Sequence, residues 1–90
     1  MYDEFLPFHL SSANANTTVT VTSSDANLGL ITVNATSGQA LTVKDGLGNT
    51  IAIVKASIVE GTYHYRVSCR KGILITVPTG YTGDATVSFR

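Results

Sequence analysis

Few side chains in this sequence could serve as a nucleophile, a base or a metal ligand. The histidines are His9 and His64, and the cysteine is Cys69. A cysteine nucleophile needs an imidazole beside it. In Thr62-Tyr63-His64-Tyr65-Arg66-Val67-Ser68-Cys69 the alternation puts Tyr63, Tyr65, Val67 and Cys69 on one face and His64 on the other. Cys69 therefore reads as a small core hydrophobe. Two histidines and one cysteine without ligand spacing make no zinc site. Glycosidase chemistry needs two facing carboxylates, but Asp25, Asp45, Glu60 and Asp84 fall in turn segments, where acids serve turn geometry. Asp45 and Asn49 could lend oxygens to calcium, yet Asp45-Gly46-Leu47-Gly48-Asn49 lacks the further acids of such a loop and carries a strong hairpin signal instead. The expectation is no enzyme, no cofactor and no metal.

What remains is binding. Arg66, Arg70 and Lys71, close to His64, form the one local basic cluster. It reads as a solvated edge that discourages strand-to-strand pairing, or as a docking patch for an acidic surface, with Asp3 and Glu4 as self-complementary partners. The whole chain has 6 basic and 6 acidic residues, and this balance argues against general nucleic-acid binding. Tyr63 and Tyr65 could stack on a sugar, but their strand position assigns them to the core. Tyr2 and Tyr81 lie outside strands and read as exposed contacts.

The first sixteen residues differ from the rest. Tyr2, Phe5, Leu6, Phe8 and Leu10 are large and apolar but follow no period, Pro7 forbids a helix, and Ser11 to Asn16 is a polar spacer. Burying Phe5, Leu6, Phe8 and Leu10 is worth roughly 6–12 kcal/mol, about what ordering ten residues costs. Residues 1–16 are accordingly expected to be a docking arm outside the fold, ordered on a partner. No secretory leader is expected, because Asp3 and Glu4 stand where one would carry Lys or Arg. No apolar run approaches the roughly 20 residues of a membrane-spanning helix.

The elements that position these side chains are strands. The chain has 13 Thr, 9 Val and 6 Ile among 90 residues, a β-branched content that favours strand over helix. Period-2 runs recur every 8–12 residues with turn signals between them, which predicts about seven strands in a small antiparallel β-sandwich, Ig-like or jelly-roll-like, over residues 17–90. The inward side chains are expected to be Val19, Val21, Ile31, Val33, Leu41, Val43, Ile51, Ile53, Tyr65, Val67, Ile73, Ile75, Val87 and Phe89. Residues 50–58 are apolar on both faces, so Ala52, Val54, Ala56 and Ile58 are expected to cover a subunit contact or the base of the arm. The partner-binding set is thus Tyr2, Phe5, Leu6, Phe8, Leu10, Val54, Ile58, Arg66, Arg70 and Lys71.

Leu41 to Ile53, Lys71-Gly72-Ile73-Leu74-Ile75-Thr76-Val77 and the ending Ala85-Thr86-Val87-Ser88-Phe89-Arg90 together resemble small all-β virion proteins of tailed bacteriophages, especially capsid decoration or cement proteins. The resemblance implies a structural protein made in the host cytoplasm and placed on the capsid surface. It would bind the major capsid protein or another virion protein as a homo-oligomer, such as a trimer, with no nucleic-acid or membrane partner. The alternative is a receptor- or glycan-binding module of a phage tail or fibre.

Overall fold

A period-2 strand can bury only one face, so each strand of this chain needs a second sheet to cover its Val, Ile and Leu side chains. A computed structural model, which describes residues 5–90, shows eight strands: β1 Leu6–Leu10, β2 Thr17–Thr22, β3 Ala26–Ala35, β4 Leu41–Asp45, β5 Thr50–Val54, β6 Gly61–Cys69, β7 Ile73–Val77 and β8 Asp84–Phe89. The first sheet has the order β1-β8-β3-β6 and the second β2-β7-β4-β5, every pair antiparallel. Successive strands alternate between the sheets except at the β4–β5 hairpin, which is the eight-stranded jelly-roll arrangement. Leu28, Ile31, Val33 and Val87 from one sheet meet Leu41, Val43, Ile73, Ile75 and Val77 from the other, all buried.

The additional strand comes from the segment expected to be an arm. Leu6 to Leu10 pair residue for residue with Phe89 to Ala85 of β8. Leu10 is fully buried in the core and Phe8 packs against it. The segment escapes a period-2 reading because Pro7 interrupts the alternation. On an edge strand, however, a proline costs no ladder bond on its solvent side. Residues 6–10 thus belong to the sandwich.

The expected facing of β5 is reversed. Its register sets Val54 opposite Leu41 and Ala52 opposite Val43, so Ala52 and Val54 enter the core while Ile53 is 60% exposed. Ile51 is the extra residue of a bulge between the Val43 and Lys44 pairings and packs half-buried against the core. Composition favours the isoleucines for burial, but hairpin register decides the face. Val54 is therefore core and cannot be a subunit contact. Tyr81, expected to be exposed, is also buried.

The β4–β5 turn is a hairpin of another type than the Asp-Gly pair suggests. Gly48 has the positive φ, +88°, while Gly46 does not. The Gly48 N–H donates to the Asp45 carbonyl at 3.2 Å, closing a turn followed by a left-handed glycine. Asp45 organises the loop: Oδ1 accepts the N–H groups of Leu47 and Asn49, at 3.0 and 2.9 Å, and Oδ2 accepts from the Asn49 side chain at 3.1 Å. Burial alone would raise this carboxyl, but the Asn49, Leu47 and Gly48 donors outweigh it and hold it below its ordinary 3.8. At the opposite end, Ser37 joins three connections: its hydroxyl accepts from Gln39 and Thr82, and its carbonyl from Ser57.

Two outcomes are expected. Leu10→Ala should cost about 2–4 kcal/mol in denaturant unfolding, as for a buried leucine and unlike a residue of a free arm. Because the folded Asp45 carboxyl titrates below its unfolded value, its contribution is present above pH 3.8 and is lost as pH falls through the lowered value. Asp45→Asn should therefore lower the melting temperature at neutral pH and flatten its decline in acid, read by circular dichroism.

Candidate functional site

The candidate site is built around one irregularity of the first sheet. Between the Leu28 and Leu30 pairings, β6 supplies two residues, Tyr65 and Arg66, against the single Gly29 of β3. Gly29 is likewise the extra residue of β3 against β8. Arg66 closes this bulge at φ +54°, a left-handed conformation that costs a non-glycine residue about 1–2 kcal/mol. Bulges re-aim side chains and recur beside binding sites.

Gly29 leaves room for an aromatic ring. A Cβ here would stand 2.1 Å from Cε2 of Phe5, so the ring lies directly against the β3 backbone. The Arg90 guanidinium covers that ring at 4.8 Å from its centroid, a cation–π arrangement. Arg90 is itself held by a two-way backbone ladder with Asn27, at 2.6 and 3.0 Å. Around these residues lies a cleft of about 410 Å³ lined by Phe5, Asn27, Leu28, Gly29, Arg66 and Arg90. A second cleft of about 230 Å³, lined by Asp25, Ala26, Asn27, Ser68, Cys69, Arg70 and Arg90, shares Asn27 and Arg90 with it. All three arginines of the sequence thus line joined clefts at one end of the sandwich.

These residues can bind but are poorly equipped for chemistry. Guanidinium groups present paired donors to oxyanions. The Cys69 thiol is buried, and burial pushes it up from its ordinary range, the Asp45 charge adding to this and the Leu28 N–H only partly offsetting it. A thiol kept protonated is a weak nucleophile. No group of three or more His, Cys, Asp or Glu that could hold a metal occurs among the described residues.

Of the expected partner-binding residues, the structure brings Phe5 and Arg66 together in the first cleft and places Arg70 in the second. Lys71 sits beside them, its N–H donating to Asp25 Oδ1 at 2.8 Å. Leu6 is 56% exposed, Phe8 and Ile58 pack half-buried on the core, and Leu10 and Val54 are within it. Tyr2 lies outside the described residues. Sequence reasoning missed Asn27, Gly29 and Arg90. Arg90 could be placed on an outward face by alternation, but its neighbours follow only from the β3–β8 pairing.

The two outer sheet faces differ in character. On the first sheet, His9 Nε2 lies 2.9 Å from Asp84 Oδ2, Asn34 donates to Asp84 Oδ1 at 3.0 Å, and Thr32 meets Thr62 at 3.3 Å. Hydrogen bonds from Asn34 and then His9 hold the Asp84 carboxyl below 3.8, so it is charged at neutral pH. On the second sheet, pairing aligns Thr18, Thr76, Thr42 and Ile53 in one row and Thr20, Leu74, Lys44 and Thr50 in the next. Lys44 is the sole charge in those two rows.

The Phe5–Gly29 contact is testable by a double-mutant cycle. Gly29→Ala should cost about 1–2 kcal/mol by displacing the ring, and almost nothing in a Phe5→Ala background. Equal costs in both backgrounds would show that the ring does not rest there.

No protein-family model and no curated protein matches the chain. Among solved structures it is similar to the core of Drosophila NLP, a nucleoplasmin core, with a TM-score of 0.62 and 13% identity, over 98% of this chain and 97% of that one. That structure concerns pentamer formation and histone binding. This comparison corrects the reading as a bacteriophage capsid or tail protein with a capsid partner, which has no support beyond a pattern of turns and alternation. The exclusion of nucleic acid is not supported either, since charge balance over the whole chain does not describe an end where three arginines gather. What the chain shares with the NLP core, almost end to end, is the two-sheet fold itself.

Proposed function

We propose that this chain is a non-enzymatic, self-assembling protein-binding module of the histone-chaperone kind. The observation that carries the reading is the co-extensive likeness to the NLP core, a protein described in terms of pentamer formation and histone binding. Two features of this chain's own surface support it. The outer face of β2-β7-β4-β5 is nearly free of charge, with Ile53 60% exposed and Leu74 half-buried between Thr20 and Lys44. Depletion of charge with apolar side chains at the centre is the composition of a subunit interface, and a second copy is the occupant proposed here. The opposite outer face offers acceptors instead: the ionised Asp84 and the hydroxyls of Thr32, Thr62 and Thr86. These suit the Lys and Arg donors of a basic partner.

Analytical ultracentrifugation tests both halves. The wild-type chain should sediment as a closed oligomer, and Ile53→Lys should shift it toward monomer with an unchanged circular dichroism spectrum, because Ile53 lies outside the core. Added core histones should co-sediment with the oligomer, and Asp84→Asn should weaken that association. A wild-type chain that sediments as a monomer at high concentration overturns the assembly reading. Absence of histone co-sedimentation overturns the partner reading.

A further inference from the structure

We propose that the joined arginine clefts are a recognition site for a carboxylate-bearing segment, an acidic peptide that docks at the end of the sandwich. This goes beyond the assembly and histone reading, which concerns the outer sheet faces.

Three observations converge. First, the cations lining the clefts are all arginines, Arg66, Arg70 and Arg90, with Lys71 next to Arg70 in the chain but in neither lining, and Lys44 and Lys55 elsewhere. Arginine presents planar paired donors that match a carboxylate, whereas lysine acts as a point charge. Second, the fold maintains a strained residue there. Arg66 sits at φ +54°, a position where glycine would carry no penalty. Strain of this kind persists where the surrounding structure over-determines it, often at ligand-binding sites. Third, the walls are shaped and mixed in character. The Phe5 ring, fixed by the space at Gly29, and Leu28 provide an apolar surface beside the guanidinium groups. About 410 Å³ is within the range of sites that hold small ligands.

The same features favour an acidic peptide over nucleic acid. Nucleic-acid binding draws on a wide basic field that neutralises many phosphates. Here three arginines line two small clefts, and Asp25 stands among them in the second. A glutamate, by contrast, brings one carboxylate for a guanidinium and an aliphatic stem for Phe5 and Leu28.

The test uses the full chain and a fluorescein-labelled peptide of six glutamates, read by fluorescence anisotropy. The comparison probe is a labelled ten-residue oligothymidylate. Wild type should bind the peptide with an affinity that falls as salt rises. Arg66→Gly should weaken binding about tenfold or more, in keeping with loss of a charge-assisted hydrogen bond, while its unfolding midpoint stays level or rises through relief of the left-handed strain. That combination separates a lost ligand contact from a damaged fold. Arg70→Gln should also weaken binding, and Lys55→Gln, at the opposite end, should leave it unchanged. Peptide affinity equal in Arg66→Gly and wild type, or no peptide binding by wild type, overturns the proposal. Tighter binding of the oligothymidylate, lost in Arg66→Gly, overturns it in favour of a nucleic-acid site.

Discussion

The missing side chain at Gly29 sets the geometry of one whole end of this molecule. As the extra residue of β3 against β8, it shifts the phase of the strand, so that Leu28 and Ile31, three positions apart, both reach the core. As a residue without a Cβ, it admits the Phe5 ring against the backbone. The ring in turn supports the Arg90 guanidinium. The same irregularity, seen from β6, places Arg66 in its left-handed conformation. One backbone position thereby couples core packing to the arrangement of the surface cations.

Much of the fold could be read from alternation, because period 2 is a direct projection of one-sided burial. β4, β7 and β8 follow it closely, and their inward residues Leu41, Val43, Ile73, Ile75 and Val87 are all buried. Legibility fails where a bulge or a proline changes the phase. Ser23 to Asn27 read as a turn cluster and Leu30 as the start of the next strand, whereas β3 begins at Ala26, because Gly29 breaks the alternation that Leu28 begins. β1 was hidden by Pro7, and β5 by having apolar side chains on both faces, which leaves the choice to register. Tyr81, in a loop, gave no period at all. Its burial follows from the path of the β7–β8 connection.

The candidate site was legible in part. Arg66 and Arg70 stand close in sequence and announce a local basic cluster. Arg90, 20 residues beyond Arg70, joins them only through its backbone ladder with Asn27. Phe5 was recognised as an anchor, but its seat is a glycine on a strand that pattern alone started too late. A net charge of zero concealed this segregation, since the arginines collect at one end while Lys55 lies at the other. Averages over a chain say little about the field at one surface.

The bulges and the proline have a common consequence for how copies of this chain can meet. All four edge strands of the two sheets are interrupted. β1 carries Pro7, β6 the extra residue at Tyr65–Arg66, β2 an extra Val21 and β5 an extra Ile51. An uninterrupted edge is a template on which another chain can add strands without limit, the route to fibrils. Here each such template is broken within the strand. Growth by open-ended strand addition is disfavoured on every side, leaving side-chain contact between sheet faces as the route by which assemblies of finite size can form.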